Sequence, residues 1–222
     1  MNLPNKITLI RIILIPIMVF LYLATFIPYG KLIALAVFIL AACTDFIDGM
    51  IARKYGLVTN LGKFLDPIAD KLLTASALLL VVCDMTLPAP YGVIIAIIIL
   101  GRELIISAFR QVAATKNFVM AADKWGKIKT IFQDIALPAL FFLSLIYQYS
   151  WFSESFVNVY EIICHLLILI ATILTIISGI NYLVKNWAVL KTDKNDVAVK
   201  EVSNKEDISK DSKEDKGEEN GR

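Results

Sequence analysis

The chain has 222 residues, 58% of them hydrophobic, and a net charge of only +2. So apolar a composition excludes an ordinary soluble domain of this size, and so small a charge gives no ground for a nucleic-acid partner. Cys43, Cys83 and Cys164 are an odd, scattered set within apolar stretches, which argues against a disulfide framework.

Apolar runs near the ~20 residues that cross a bilayer recur along the chain. After the polar lead MNLPNK, with Pro4 suited to a first helical turn, a first span is expected over residues 7–26, with Pro16 as a candidate kink. Its apolar stretch outruns a signal-peptide core and no A-x-A site follows, so it is expected to be retained. Asn5, Thr8 and Arg11 recur every three residues on one side of its first turns. Either Arg11 snorkels to the headgroups, or this stripe meets a polar ligand. Further spans are expected over 31–48, 64–84 (with Pro67 near its start), 91–113, 127–147 and 156–184. Cys164 beside His165, the only histidine, is expected to serve packing. Trp125, Trp151 and Trp187 flank spans, as interfacial aromatics do.

From residue 185 onward the chain turns polar, with nearly cancelling charges, and too few apolar groups remain to offset ordering entropy. The expected fold is therefore an all-α integral membrane protein. Six transmembrane helices over residues 1–185 precede a disordered polar tail over 186–222. Lys6, Arg11, Arg53, Lys54, Lys63, Lys116, Lys124, Lys127 and Lys129 fall on one side of these spans, and only Lys31 on the other. The positive-inside rule then makes both termini cytoplasmic.

The chemistry concentrates between spans two and three, in DFIDGMIARKYGLVTNLGKFLDPIADK. Asp45 and Asp48 are three residues apart, Asp66 and Asp70 four, so each pair shares a helix face if its flank is helical. Four carboxylates without His or Cys suit Mg²⁺ or Mn²⁺ rather than zinc. Two such cations can clamp a pyrophosphate and stabilise both the attacking and leaving oxygens. Gly49 and Ala52 would let a nucleotide approach the backbone, and Arg53 would reach a phosphate oxygen. Deeper in span four stand Arg102, Glu103 and Arg110. They form either an internal ion pair of Glu103 with a basic neighbour, or an anion pocket lined by the two arginines. The run ADKWGKIKT that leads into span five reads on its own as positive-inside decoration.

Read as D-x2-D-G-x2-A-R-x8-G-x3-D-x3-D, the residues Asp45, Asp48, Gly49, Ala52, Arg53, Gly62, Asp66 and Asp70 resemble, at every fixed position, the signature of the CDP-alcohol phosphotransferase family. The resemblance implies transfer of a phosphatidyl group from CDP-diacylglycerol to an alcohol, with release of CMP. It implies metal binding by Asp45, Asp48, Asp66 and Asp70, with Asp70 also the general base. It places Asn5, Thr8, Asp48, Gly49, Ala52, Arg53, Gly62 and Asp66 around the CDP group. The PNxxTxxR start, the DPxADK continuation, the GRE segment and GKIKT are similar to the branch that uses sn-glycerol 3-phosphate. Arg102, Arg110, Lys127, Lys129 and Thr130 would then hold the acceptor's phosphate, with Gln133 and Asp134 as possible extensions of that wall. A homodimer in the bacterial cytoplasmic membrane, its active site facing the cytoplasm, is the implied assembly. Serine or inositol phosphate as acceptor, a divalent-cation transporter and an inert membrane scaffold are the competing readings. Clustering of the carboxylates at one membrane face, rather than at the midplane, argues against transport.

Overall fold

The computed structural model describes residues 3–54, 60–115 and 124–186. At 3–4, 45–54, 60, 61, 63, 64, 114 and 115 it describes only the course of the backbone. Six helices follow in order: α1 (Leu3–Leu23), α2 (Gly30–Lys54), α3 (Asn60–Cys83), α4 (Tyr91–Thr115), α5 (Lys124–Tyr149) and α6 (Glu154–Asn186). Every described regular element is helical. Each of the six expected spans coincides with one helix, and most helices run several residues beyond the apolar stretch. Hydropathy marks the membrane-facing part, whereas backbone hydrogen bonding carries the helix on into polar sequence. The start of α3 also shifts. It begins at Asn60, so Pro67 lies two turns inside the helix instead of in its first turn. There it leaves one carbonyl of the preceding turn without an intrahelical donor.

Among the described residues, four helices carry segments long and apolar enough to cross a membrane: Asn5–Leu23, Tyr91–Ala113, Lys124–Tyr149 and Glu154–Asn186. The apolar part of α2 includes Gly30–Thr44. In α3 Asp66, Asp70 and Lys71 interrupt the apolar sequence and lower its hydropathy.

Packing has the sense expected in lipid. Small residues line the helix contacts: Ala34 and Ala41 of α2, Ala69 and Ala77 of α3, Ala136 of α5 and Ala171 of α6 are all fully buried. Small side chains let helices approach closely where lipid supplies no hydrophobic drive. Phe38 stacks on Phe141 at 5.4 Å, and Met18, Leu78, Ile99, Leu140 and Ile168 complete the central core. Large apolar side chains point outward instead, among them Ile94, Ile97 and Leu104 on α4 and Ile162, Leu166 and Ile180 on α6. In water such a surface would drive aggregation; in a bilayer it is the solvent-facing side.

Two polar layers mark the ends of the bundle. At one end Tyr22, Lys31, Asp84, Thr86 and Ser144 meet. At the other, Thr8, Asp66, Lys71, Arg102, Glu103, Lys129 and Ser178 are joined across helices. The turn into α4 depends on a close approach. A Cβ on Gly92 would collide with the Leu87 carbonyl oxygen, so glycine is required there. His165 Nε2 lies 3.0 Å from the Thr86 carbonyl oxygen, and Cys164 is fully buried, so this pair packs α6 against the same turn.

Candidate active site

Asp66 and Asp70 stand one turn apart on α3, and both are exposed. Their i, i+4 spacing puts them on one face, as the sequence pattern requires. Asp45 and Asp48 lie on the last three turns of α2, with Gly49, Ala52 and Arg53. The side chains of these five residues are outside the described part of the structure. Among the described residues, accordingly, no three His, Cys, Asp or Glu side chains converge. Gly62 is buried near the start of α3. The donor chemistry fits a hard divalent cation: Asp66 and Asp70 supply exposed carboxylate oxygens.

Helix α1 closes one side of this face. Asn5, Thr8 and Arg11 are all buried, with Arg11 only 1% exposed. A snorkelling arginine would keep its guanidinium in the headgroups, so the structure favours an inward-facing polar stripe. From that stripe Thr8 Oγ1 donates a 2.7 Å hydrogen bond to Asp66 Oδ1.

The opposite side is built by α4, α5 and α6. Lys71, next to Asp70, donates to Ser107 Oγ on α4, and Ser107 donates to the Glu103 carbonyl oxygen at 2.6 Å. The carboxylate face is therefore tied to the turn of α4 that carries Glu103. The Glu103 carboxylate accepts from Lys129 Nζ at 2.5 Å and from Gln133 Nε2 at 3.3 Å. Of the two readings of this segment, the ion pair is thus present, and Lys129, only 1% exposed, commits its charge to it. A buried ammonium needs such a partner to stay charged at low cost.

The arginines run the other way, toward α6. Arg102 Nη2 donates to Ser178 Oγ at 2.5 Å. Its side chain passes two glycines: a Cβ on Gly126 would lie 3.2 Å from Nη2, and one on Gly179 would lie 3.2 Å from Cγ. Arg110 is exposed, donates from Nε to Tyr182 Oη at 3.2 Å, and lies 5.5 Å from that ring's centre. Lys127 is exposed on the first turn of α5. The Thr130 hydroxyl donates back to the Gly126 and Lys127 carbonyls, an ordinary use of threonine within a helix. Lys124 is exposed at the start of α5, and residues 116–123 lie outside the described part.

Sequence reasoning noted Lys71 only as the end of DPxADK and missed Ser107, Ser178 and Tyr182, whose hydroxyls look like incidental polar groups in apolar helices. It also missed the far-end cluster on Asp84. The available signal there was that Lys31 and Asp84 are isolated opposite charges next to turns on the same side of the bundle.

A bundle with lipid-facing aliphatic flanks, carrying an exposed carboxylate pair at the end where basic side chains also gather, is the frame of a membrane-embedded enzyme. The chain belongs to the CDP-alcohol phosphatidyltransferase family, whose model matches residues 1–189. Among its relatives is the CDP-diacylglycerol–glycerol-3-phosphate 3-phosphatidyltransferase of Bacillus subtilis (strain 168), 42% identical over 202 residues, covering 86% of this chain and 98% of the relative. Proteins of the same name from Rickettsia typhi and Pseudomonas fluorescens are 37% and 36% identical, and cover 82% and 87% of this chain and 94% of each relative.

Proposed function

We infer that the chain transfers the phosphatidyl group of CDP-diacylglycerol to sn-glycerol 3-phosphate, giving phosphatidylglycerophosphate and CMP. The observation that carries this reading is the exposed Asp66–Asp70 pair, set at the end of the bundle where α4 and α5 also bring Arg102, Arg110 and Lys127. The relatives that share most of this chain's length carry that activity in their names.

The residues divide the work as follows. Asp45, Asp48, Asp66 and Asp70 would hold two divalent cations, Mg²⁺ or Mn²⁺, whose bound charge would supply neutralisation of the CDP pyrophosphate and of the leaving oxygen. Gly49 and Ala52 leave room for the nucleotide, and Arg53 holds a phosphate oxygen; Asn5 and Gly62 border the same space. Asp70 takes the proton from the acceptor's primary hydroxyl as that oxygen attacks the β-phosphorus of the nucleotide-activated lipid, and CMP leaves. Arg110 and Lys127, both exposed, meet the acceptor's phosphate first. Arg102, already anchored on Ser178, offers its planar guanidinium beside them. Lys129 serves by holding Glu103, which would otherwise repel that phosphate. Thr130 donates to it once its hydroxyl turns from the Gly126 carbonyl.

All six helices cross the bilayer in this reading. The outward aliphatic residues of α2 (Ile33, Ile39, Leu40) and α3 (Ile68, Leu72, Leu79) support two further spans beyond the four judged by hydropathy. The lysine and arginine bias puts the carboxylate end, and both termini, in the cytoplasm of a bacterium, where nucleotide and cation are available. The enzyme acts there as a homodimer with a polar tail over 186–222.

The test is an assay in detergent for CMP release from CDP-diacylglycerol. Release that requires both glycerol 3-phosphate and Mg²⁺ or Mn²⁺ is expected. Release with serine or inositol phosphate instead would reassign the acceptor. No release with any polar alcohol would refute the enzymatic reading.

A further inference from the structure

We propose that Thr8 is a positioning residue for the carboxylate of Asp66, fixing it for cation binding, rather than a contact of the nucleotide. The inference rests on the two-cation reading above. Asp66 projects from an exposed position on α3, where a carboxylate has several staggered χ1 wells open to it. Thr8 comes from another helix, 58 residues earlier, and is only 1% exposed. Its β-branched side chain has few χ1 wells, and it is held in the interior of the bundle. A buried donor bonded at 2.7 Å to Oδ1 favours one orientation of the carboxylate before any cation arrives.

The chemical nature of the donor matters as much as its rigidity. A lysine or arginine in this place would fix the carboxylate equally well, but it would neutralise the charge and compete with the cation. A hydroxyl occupies one lone pair and leaves the negative charge in place. Partners that orient a ligating carboxylate in this way are commonly worth 10–100-fold in metal affinity.

The experiment uses the purified full chain in detergent, without lipid substrate, and measures Mn²⁺ binding by electron paramagnetic resonance. Thr8→Val removes the donor and keeps the shape. It should weaken Mn²⁺ binding about 10–100-fold. Thr8→Ser, which keeps the hydroxyl, should bind close to wild type. At saturating Mn²⁺, Thr8→Val should recover the wild-type KM for CDP-diacylglycerol. Thr8→Ala gives the same comparison if valine disturbs the packing. Unchanged Mn²⁺ affinity in both donor-free variants, with a raised KM for CDP-diacylglycerol, would overturn the proposal and return Thr8 to the nucleotide. A wild-type chain that binds no Mn²⁺ would instead remove the two-cation reading, and this inference with it.

Discussion

Asp84 sits at the end of the bundle away from the carboxylate pair, and its loss is expected to cost more stability than most point changes on a surface. Its Oδ2 accepts from Tyr22 Oη at 2.5 Å, from Lys31 Nζ at 3.0 Å and from Ser144 Oγ; its Oδ1 accepts from the Thr86 amide at 3.1 Å and the Thr86 hydroxyl at 2.6 Å. Helices α1, α2 and α5 are thereby bound to the α3–α4 turn through one carboxylate. Burial by itself would raise its pKa, but the hydrogen bonds from Ser144, Thr86, Tyr22 and Lys31 outweigh that and hold it below the usual carboxylate range. Asp84→Asn removes the charge and turns two donors toward a cluster that already consists of donors. Removing one partner of a buried ion pair costs about 3–5 kcal/mol. Asp84 and Lys31 keep 14% and 21% of their side-chain exposure, so the lower end, about 3 kcal/mol, applies. For a chain of this size that is about 6–12 °C in Tm. Thermal unfolding in detergent, followed by tryptophan fluorescence, reads it. The pH dependence has a definite sign. A depressed folded-state pKa contributes stability above the unfolded value of about 4, and that contribution is lost as pH falls through the folded value. The gap between wild type and Asp84→Asn should therefore stay constant from about pH 5 to 8 and close only below about pH 4. A Tm within about 2 °C of wild type at pH 7, or a gap that closes near neutrality, would refute this account.

Three more expectations follow from the carboxylate end. Asp70→Asn should abolish CMP release while CDP-diacylglycerol still binds, and full turnover in that variant would remove Asp70 as the base. Arg110→Ala should raise KM for glycerol 3-phosphate about tenfold or more and leave KM for the lipid unchanged, because it deletes a charge-assisted contact to phosphate alone; equal changes in both would place Arg110 elsewhere. Glu103→Gln should destabilise by about 3 kcal/mol, since Lys129 would be left buried without its counter-charge, and Glu103→Gln with Lys129→Met should recover much of that in the same unfolding assay.

The six helices were legible because each apolar run is long and bounded by turn residues. The placing of Asp66 and Asp70 was legible because helical spacing decides which residues share a face. Asp66 and Asp70 share a face for no other reason than the i, i+4 period. What the sequence did not disclose was partner choice among polar residues. Nothing in GRE says that Glu103 takes Lys129 while Arg102 turns to Ser178. That division depends on Gly126 and Gly179 opening a path for one long side chain, which is a property of three helices at once. Thr8 shows the same limit. Its three-residue rhythm with Asn5 and Arg11 marks an inward polar stripe, but which group its hydroxyl meets depends on how α1 lies along α3.

The two polar layers differ in a way that bears on catalysis. At the far end, every strong acceptor is met by donors from the protein itself: Asp84 is enclosed by hydroxyls, an amide and one ammonium, with 14% of its side chain exposed. Such a cluster has little left to offer a ligand and much to contribute to holding α1, α2 and α5 in register. At the near end, Asp66 and Asp70 remain exposed, while Lys129, buried, and Glu103, half-buried, are paired with each other. Preorganised charge is effective when its supports are already satisfied and only the reacting groups face the ligand. Near-end residues that are fully paired should therefore fail mainly in stability when changed, and those that are exposed should fail mainly in turnover. Glu103→Gln and Asp70→Asn place that distinction on opposite sides of one turn of contact between α3 and α4, bridged by Lys71 and Ser107.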